Sequence, residues 1–106
     1  GRKKYDRDQV IFREHENGDV AYIIANGQVQ IIKESDNGPK VLGVLEKGAM
    51  FGEMALIDNK PRMASAKAIN GPVELLIVSK ANFQKKMEQL DPFTRGLIKF
   101  MAEIVR

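Results

Sequence analysis

Cysteine is absent from the 106 residues. That removes disulfides, thiolate metal sites and cysteine nucleophiles together. Histidine is nearly absent. His15 is the single one, so a histidine pair or a His-rich metal site is excluded and no metal ligand is assigned. No apolar run approaches the roughly 20 residues of a membrane span. No signal peptide is visible, and the start at Gly1 suggests an excised domain; a cytoplasmic setting is expected.

Hydrophobic residues make up 43% of the chain and charged residues 29%, a balance that argues against disorder. The length suits one domain spanning 1–106, able to bury roughly 60–68% of its unfolded surface. The net charge of +3 is unevenly spread. Residues 1–13 carry +3, residues 14–78 carry −3 and residues 79–106 carry +3. Basic and aromatic residues are not interleaved, so no nucleic-acid contact is expected.

Four Asn-Gly pairs punctuate the chain: Asn17-Gly18, Asn26-Gly27, Asn37-Gly38 and Asn70-Gly71. Asn-Gly tolerates positive φ at both central turn positions and is a strong hairpin signal. Between the pairs lie strand-like runs at 10–12, 20–25, 28–31, 41–45 and 73–77. Gln28-Val29-Gln30-Ile31 alternates polar and apolar, the period of a half-buried strand. Many short strands with regular turns predict a sandwich or barrel over about residues 5–78.

The period changes at Ser79, whose hydroxyl can cap a helix from Lys80 to about Leu90. Asp91-Pro92 breaks that helix, and Pro92 suits the first turn of the next. These helices fill about residues 80–105. In the second, Phe93, Leu97, Phe100, Met101, Ile104 and Val105 form one apolar stripe. The stripe is expected to pack on the domain's own core. The alternative is a movable element covering a ligand or a partner.

Residues 51–66 carry the chemistry. Residues 53–57 predict one or two helical turns entered through Gly52. A helix start offers free N–H groups and the positive end of a dipole, and glycine lets the backbone approach an anion closely. Arg62 can bring a planar fork that grips two phosphate oxygens. Ala64 and Ser65 leave room for a ligand. Glu53 adds negative charge, which makes sense where it accepts from a sugar hydroxyl.

Phe51-Gly52-Glu53-Met54-Ala55-Leu56 followed by Pro61-Arg62-Met63-Ala64-Ser65 resembles the phosphate-binding cassette of cyclic nucleotide-binding domains. The resemblance extends back through Val10-Ile11-Phe12-Arg13-Glu14, Gly18-Asp19, Tyr22-Ile23-Ile24 and Gly27-Gln28-Val29. It implies a mainly β fold, an eight-stranded jelly-roll barrel with C-terminal helices. It also implies that Arg62 pairs with a cyclic phosphate and Glu53 accepts from the ribose 2′-hydroxyl. The amides of Gly52 and Ala64 would help hold phosphate and ribose, while Met54 and Ala55 line the pocket. Met63 follows the arginine, where a hydroxyl in the family favours guanine. The implied ligand is therefore cAMP, with cGMP as the alternative, and no cofactor. His15 departs from the family's usual glycine and is expected to be a solvated loop residue.

The reading is a sensor that couples a cyclic nucleotide to movement of the last helix, through which an effector domain or a second copy would dock. The alternative is a ligand-independent interaction domain of the same fold. An enzyme has little support, since no histidine, cysteine or paired acids accompany the cassette.

Overall fold

A computed structural model describes residues 1–105, with Val105 described by its backbone alone. The elements in chain order are β1 (Arg2–Tyr5), β2 (Val10–Phe12), β3 (Val20–Ser35), β4 (Gly38–Leu45) and β5 (Met50–Phe51). A 3₁₀ turn (Glu53–Leu56), β6 (Ser65–Ser79), α1 (Lys80–Glu88) and α2 (Pro92–Val105) follow. All strand pairings are antiparallel, in the order β1-β6-β3-β4, with β2 on β6 and β5 on β3.

Six strands stand among the described residues where eight were expected. Two of the Asn-Gly pairs are the reason. Asn37-Gly38 does close the β3–β4 hairpin, where Ser35 pairs with Gly38. Asn26-Gly27 and Asn70-Gly71 lie instead inside β3 and β6. The register of β3 on β6 slips between Ile24 and Asn26 and again between Asn26 and Gln28. Positive φ at Gly27 (97°) and Asn70 (63°) fits a bulge that bends a continuing strand as well as a turn that ends one. Each long strand thereby serves as two, and the roll closes without chain reversals there. Asn17-Gly18 lies in the loop before β3. The N-terminal residues Arg2–Tyr5 form β1 and pair with β6.

The core gathers Tyr5, Tyr22, Ile24, Val29, Phe51, Ala66, Ala68, Val73 and Leu75. They come mainly from the inward positions of β3 and β6, as period-2 alternation dictates. Ser79 caps α1, its Oγ accepting from the Asn82 N–H at 3.1 Å. Asp91 then opens α2, its carboxylate accepting from the Thr94 N–H (2.9 Å) and hydroxyl (2.6 Å). The apolar stripe of α2 does not pack on the core. Phe93 is 77% exposed, Ile104 61% and Phe100 59%, with Leu97 and Met101 also exposed. The side chain of Val105 lies outside the described residues. The sheet's inner face is already filled by its own strands, and α1 takes the place against β6 and the 3₁₀ turn. Among the described side chains of α2, only Ala102 is buried. No helix among the described residues is long and apolar enough to cross a membrane.

Candidate functional site

Gly52 sits in the left-handed region at φ 71°, ψ 15°, and turns the chain from β5 into the 3₁₀ turn. A side chain is strained in that conformation. The turn is tied by Ala55 N–H to the Gly52 carbonyl (3.3 Å) and Ile57 N–H to that of Met54 (3.1 Å). Ala55 and Leu56 point inward and are buried, while Glu53 faces solvent.

Arg62 returns to this turn and is only 8% exposed. Its main chain is pinned to the loop before β3. Arg62 N–H donates to the Glu16 carbonyl, and His15 N–H donates to the Arg62 carbonyl, both at 2.8 Å. Its side chain is fixed by backbone oxygens. Nη1 donates to Gly52 O at 3.0 Å and Nη2 to Val20 O at 2.8 Å. The guanidinium lies over the ring of Phe12, 4.2 Å from its centroid. Phe12 in turn stacks with Tyr22, and Tyr22 with Phe51. Nε is buried without a hydrogen-bond partner. Among the described residues no carboxylate forms an ion pair with this guanidinium. Burial pulls its pKa below the usual value, opposed by Tyr22, Asp19, Glu16 and Glu53. Arginine nevertheless stays charged in proteins.

A second network holds the residues after Arg62. Lys33 Nζ donates to the Met63 carbonyl at 2.7 Å and reaches Glu14 Oε2 at 3.4 Å. Glu14 Oε1 accepts from the Glu34 N–H at 2.9 Å, and the Glu14 N–H donates to Ser65 Oγ at 2.8 Å. His15 Nε2 stands 3.3 Å from Glu14 Oε2, its side chain 82% exposed. His15 has φ 73°, which explains why glycine suits this position.

Gly52, Glu53, Met54, Ala55, Arg62, Met63 and Ala64 all line one cavity of about 430 Å³. That lies within the roughly 300–1,000 Å³ of small-molecule sites. Its remaining walls include Phe12, Ile31, Lys33, Leu42, Leu45 and Met50, which sequence reasoning did not single out. Alternation along β3 was the available signal for Ile31. The cations Lys33, Lys60 and Arg62 outnumber the lone acid Glu53 on the lining. The cavity therefore favours an anion, although the surrounding stretch 14–78 is net acidic. No cluster of His, Cys, Asp or Glu among the described residues is placed to hold a metal.

A rolled antiparallel sheet carrying an arginine-floored cavity and two C-terminal helices defines a ligand-binding domain of the jelly-roll class. The cyclic nucleotide-binding domain profile matches residues 2–90, and the chain belongs to that family. Mouse cGMP-dependent protein kinase 2 is 31% identical over 104 residues, covering 96% of this chain and 14% of the kinase. The cAMP-dependent protein kinase type II regulatory subunit of Drosophila melanogaster is 29% identical over 105 residues, covering 98% and 28%. Among solved structures, the cGMP-bound form of the EAL enzyme Bd1971 matches with a TM-score of 0.90 at 36% identity, over 99% of this chain and 28% of that one. The catabolite activator protein of Thermus thermophilus matches with a TM-score of 0.83 at 29% identity, over 100% and 50%. This chain thus spans half or less of each of these proteins.

Proposed function

We propose that residues 1–106 form a single regulatory sensor domain that binds a 3′,5′-cyclic nucleotide, cAMP in preference to cGMP, in the Arg62 cavity. One observation carries the reading. A guanidinium only 8% exposed borders a ligand-sized cavity, and among the described residues no carboxylate stands within ion-pair distance of it. A buried charge without a contacting counterion is costly, and a bound phosphate supplies that contact. The names of similar proteins accord with this: one kinase is cGMP-dependent, one regulatory subunit belongs to a cAMP-dependent kinase, and Bd1971 was solved with either nucleotide.

Arg62 holds the cyclic phosphate, joined by the amides of Gly52 and Ala64. Glu53, exposed at the rim, accepts from the ribose 2′-hydroxyl. Met54 and Ala55 wall the pocket, and Met63 packs on the purine. Binding, without catalysis, is the output of the cavity, and α2 transmits it. Phe93, Leu97, Phe100 and Ile104 follow steps of four and three, the spacing of a coiled-coil seam. An effector domain or a second copy of the chain covers that seam. The exposed seam also favours the second reading, an interaction domain that works without ligand.

Calorimetry with cAMP and cGMP separates the two. Arg62→Ala is expected to weaken binding by about 2–5 kcal/mol, the usual scale for losing one partner of a desolvated charge pair. Arg62→Lys recovers part of this, since an ammonium lacks the planar fork. Near-normal affinity in Arg62→Ala overturns the assignment, and a wild type that binds neither nucleotide leaves the interaction reading.

A further inference from the structure

We infer that Gly18 is a positioning residue for the anion site: the space left by its missing side chain is the seat of the Arg62 guanidinium. The inference rests on the reading of Arg62 as the phosphate anchor.

A Cβ built on Gly18 would stand 2.4 Å from Arg62 Nη2 and 2.6 Å from both Cζ and Nε. These are three atoms of one rigid plane, so no small rotation within the group relieves the overlap. The whole guanidinium would have to leave. It is not free to do so at low cost. Nη1 and Nη2 are bonded to the carbonyls of Gly52 and Val20, and the plane lies on Phe12. A side chain at position 18 therefore sets itself against both hydrogen bonds and the ring contact together.

Backbone conformation does not explain the glycine. Positive φ is found at Gly27, Gly38, Gly48, Gly52 and Gly71, and Gly18 is not among them. Its φ does not call for glycine, and the space argument stands in its place. Gly52 differs: a Cβ there would lie 2.8 Å from Nη1, but φ 71° already demands glycine. Position 18 thus tests the steric effect on Arg62 at a place where no positive φ demands glycine. With the seat filled, the guanidinium swings away from the cavity floor, and the cavity keeps its shape but loses its anion anchor.

The test is a double-mutant cycle on the intact chain, read by cAMP calorimetry and by thermal melting. Gly18→Ala is expected to weaken cAMP binding at least tenfold. In an Arg62→Lys background, where no planar group occupies the seat, the same substitution should cost less than threefold. Melting gives a ligand-free second reading. If Gly18→Ala lowers the melting temperature, adding Arg62→Ala should restore it to that of Arg62→Ala alone. Equal losses with and without the guanidinium, in affinity or in melting temperature, overturn the inference. Should Arg62→Ala and Arg62→Lys bind cAMP as tightly as wild type, it is the anchor reading that fails.

Discussion

The Arg62 guanidinium lies face-on to Phe12, 4.2 Å from the ring centroid, although fifty residues separate them in the chain. The ring covers one side of a cation whose edges are held by carbonyls, leaving it desolvated yet available to an anion. Cation–π contacts contribute about 0.5–2 kcal/mol, the upper end where water is excluded. Phe12→Leu keeps the apolar volume and removes the π face. It is expected to weaken cyclic nucleotide binding by about that amount while leaving the β-sheet circular dichroism intact. Unchanged affinity by calorimetry would show that the ring serves only as packing.

Glu14 gives the fold a pH dependence near the acid end. Its carboxyl is held below the ordinary value mainly by the Glu34 N–H, with Lys33 and His15 adding to the effect against desolvation. A depressed folded-state pKa means that the ionised form stabilises the fold above the unfolded value of about 4.3. That stabilisation is lost as pH falls through the lower folded value. Asp91 shifts the same way through Thr94, so wild type loses both contributions together. Glu14→Gln cannot ionise, so its melting temperature should fall less between about pH 6 and pH 3. Parallel melting profiles for the two proteins would contradict the role of this carboxylate.

The grouping of the cassette residues was legible because they lie close together in the chain. Gly52 and Arg62 carry their meaning in a spacing of ten residues, and the structure brings all seven candidate residues to one cavity. The turn at Asn37-Gly38 was equally local. Asn26-Gly27 was not, since positive φ serves a bulge or a hairpin, and the choice depends on β6 pairing alongside. Phe12 and Lys33 reach the site from distant strands, so no short motif announces them. The stripe on α2 shows the limit of periodicity. It reveals that an apolar face exists, but not whether the domain's own core or another surface covers it.

That uncovered face makes α2 the element expected to respond to ligand. Exposed apolar residues and, among the described side chains, a single buried one describe a helix weakly held by the roll, and such units open at low free energy. Ligand shifts it only by binding one arrangement more tightly than another. Saturating cAMP is expected to slow amide exchange across residues 93–105. Deleting residues 93–106 should reduce affinity several-fold while sparing most of the melting temperature. Exchange and affinity both indifferent to ligand and truncation would sink the coupling.

Base preference turns on Met63. The residue is 43% exposed and lines the cavity, and its carbonyl is anchored by Lys33 at 2.7 Å. The residue is therefore fixed in place through its main chain while its thioether stays free to adapt. Sulfur offers no donor and only a weak acceptor, so it cannot read guanine by a hydrogen bond. It can pack against the face or edge of either purine, which removes a source of cGMP preference without penalising cAMP. Wild type should bind cAMP at least as tightly as cGMP, by a margin of about 1 kcal/mol, the scale of one ordinary hydrogen bond. Met63→Thr supplies a hydroxyl on the same anchored backbone and should move relative affinity toward cGMP by a similar amount. Competition titration of both nucleotides against both proteins decides the matter. A wild type preferring cGMP tenfold, with no change in Met63→Thr, would mean that the base is read from another wall of the cavity. Lys33 would then be the first candidate, as the lining cation hydrogen-bonded to the Met63 carbonyl.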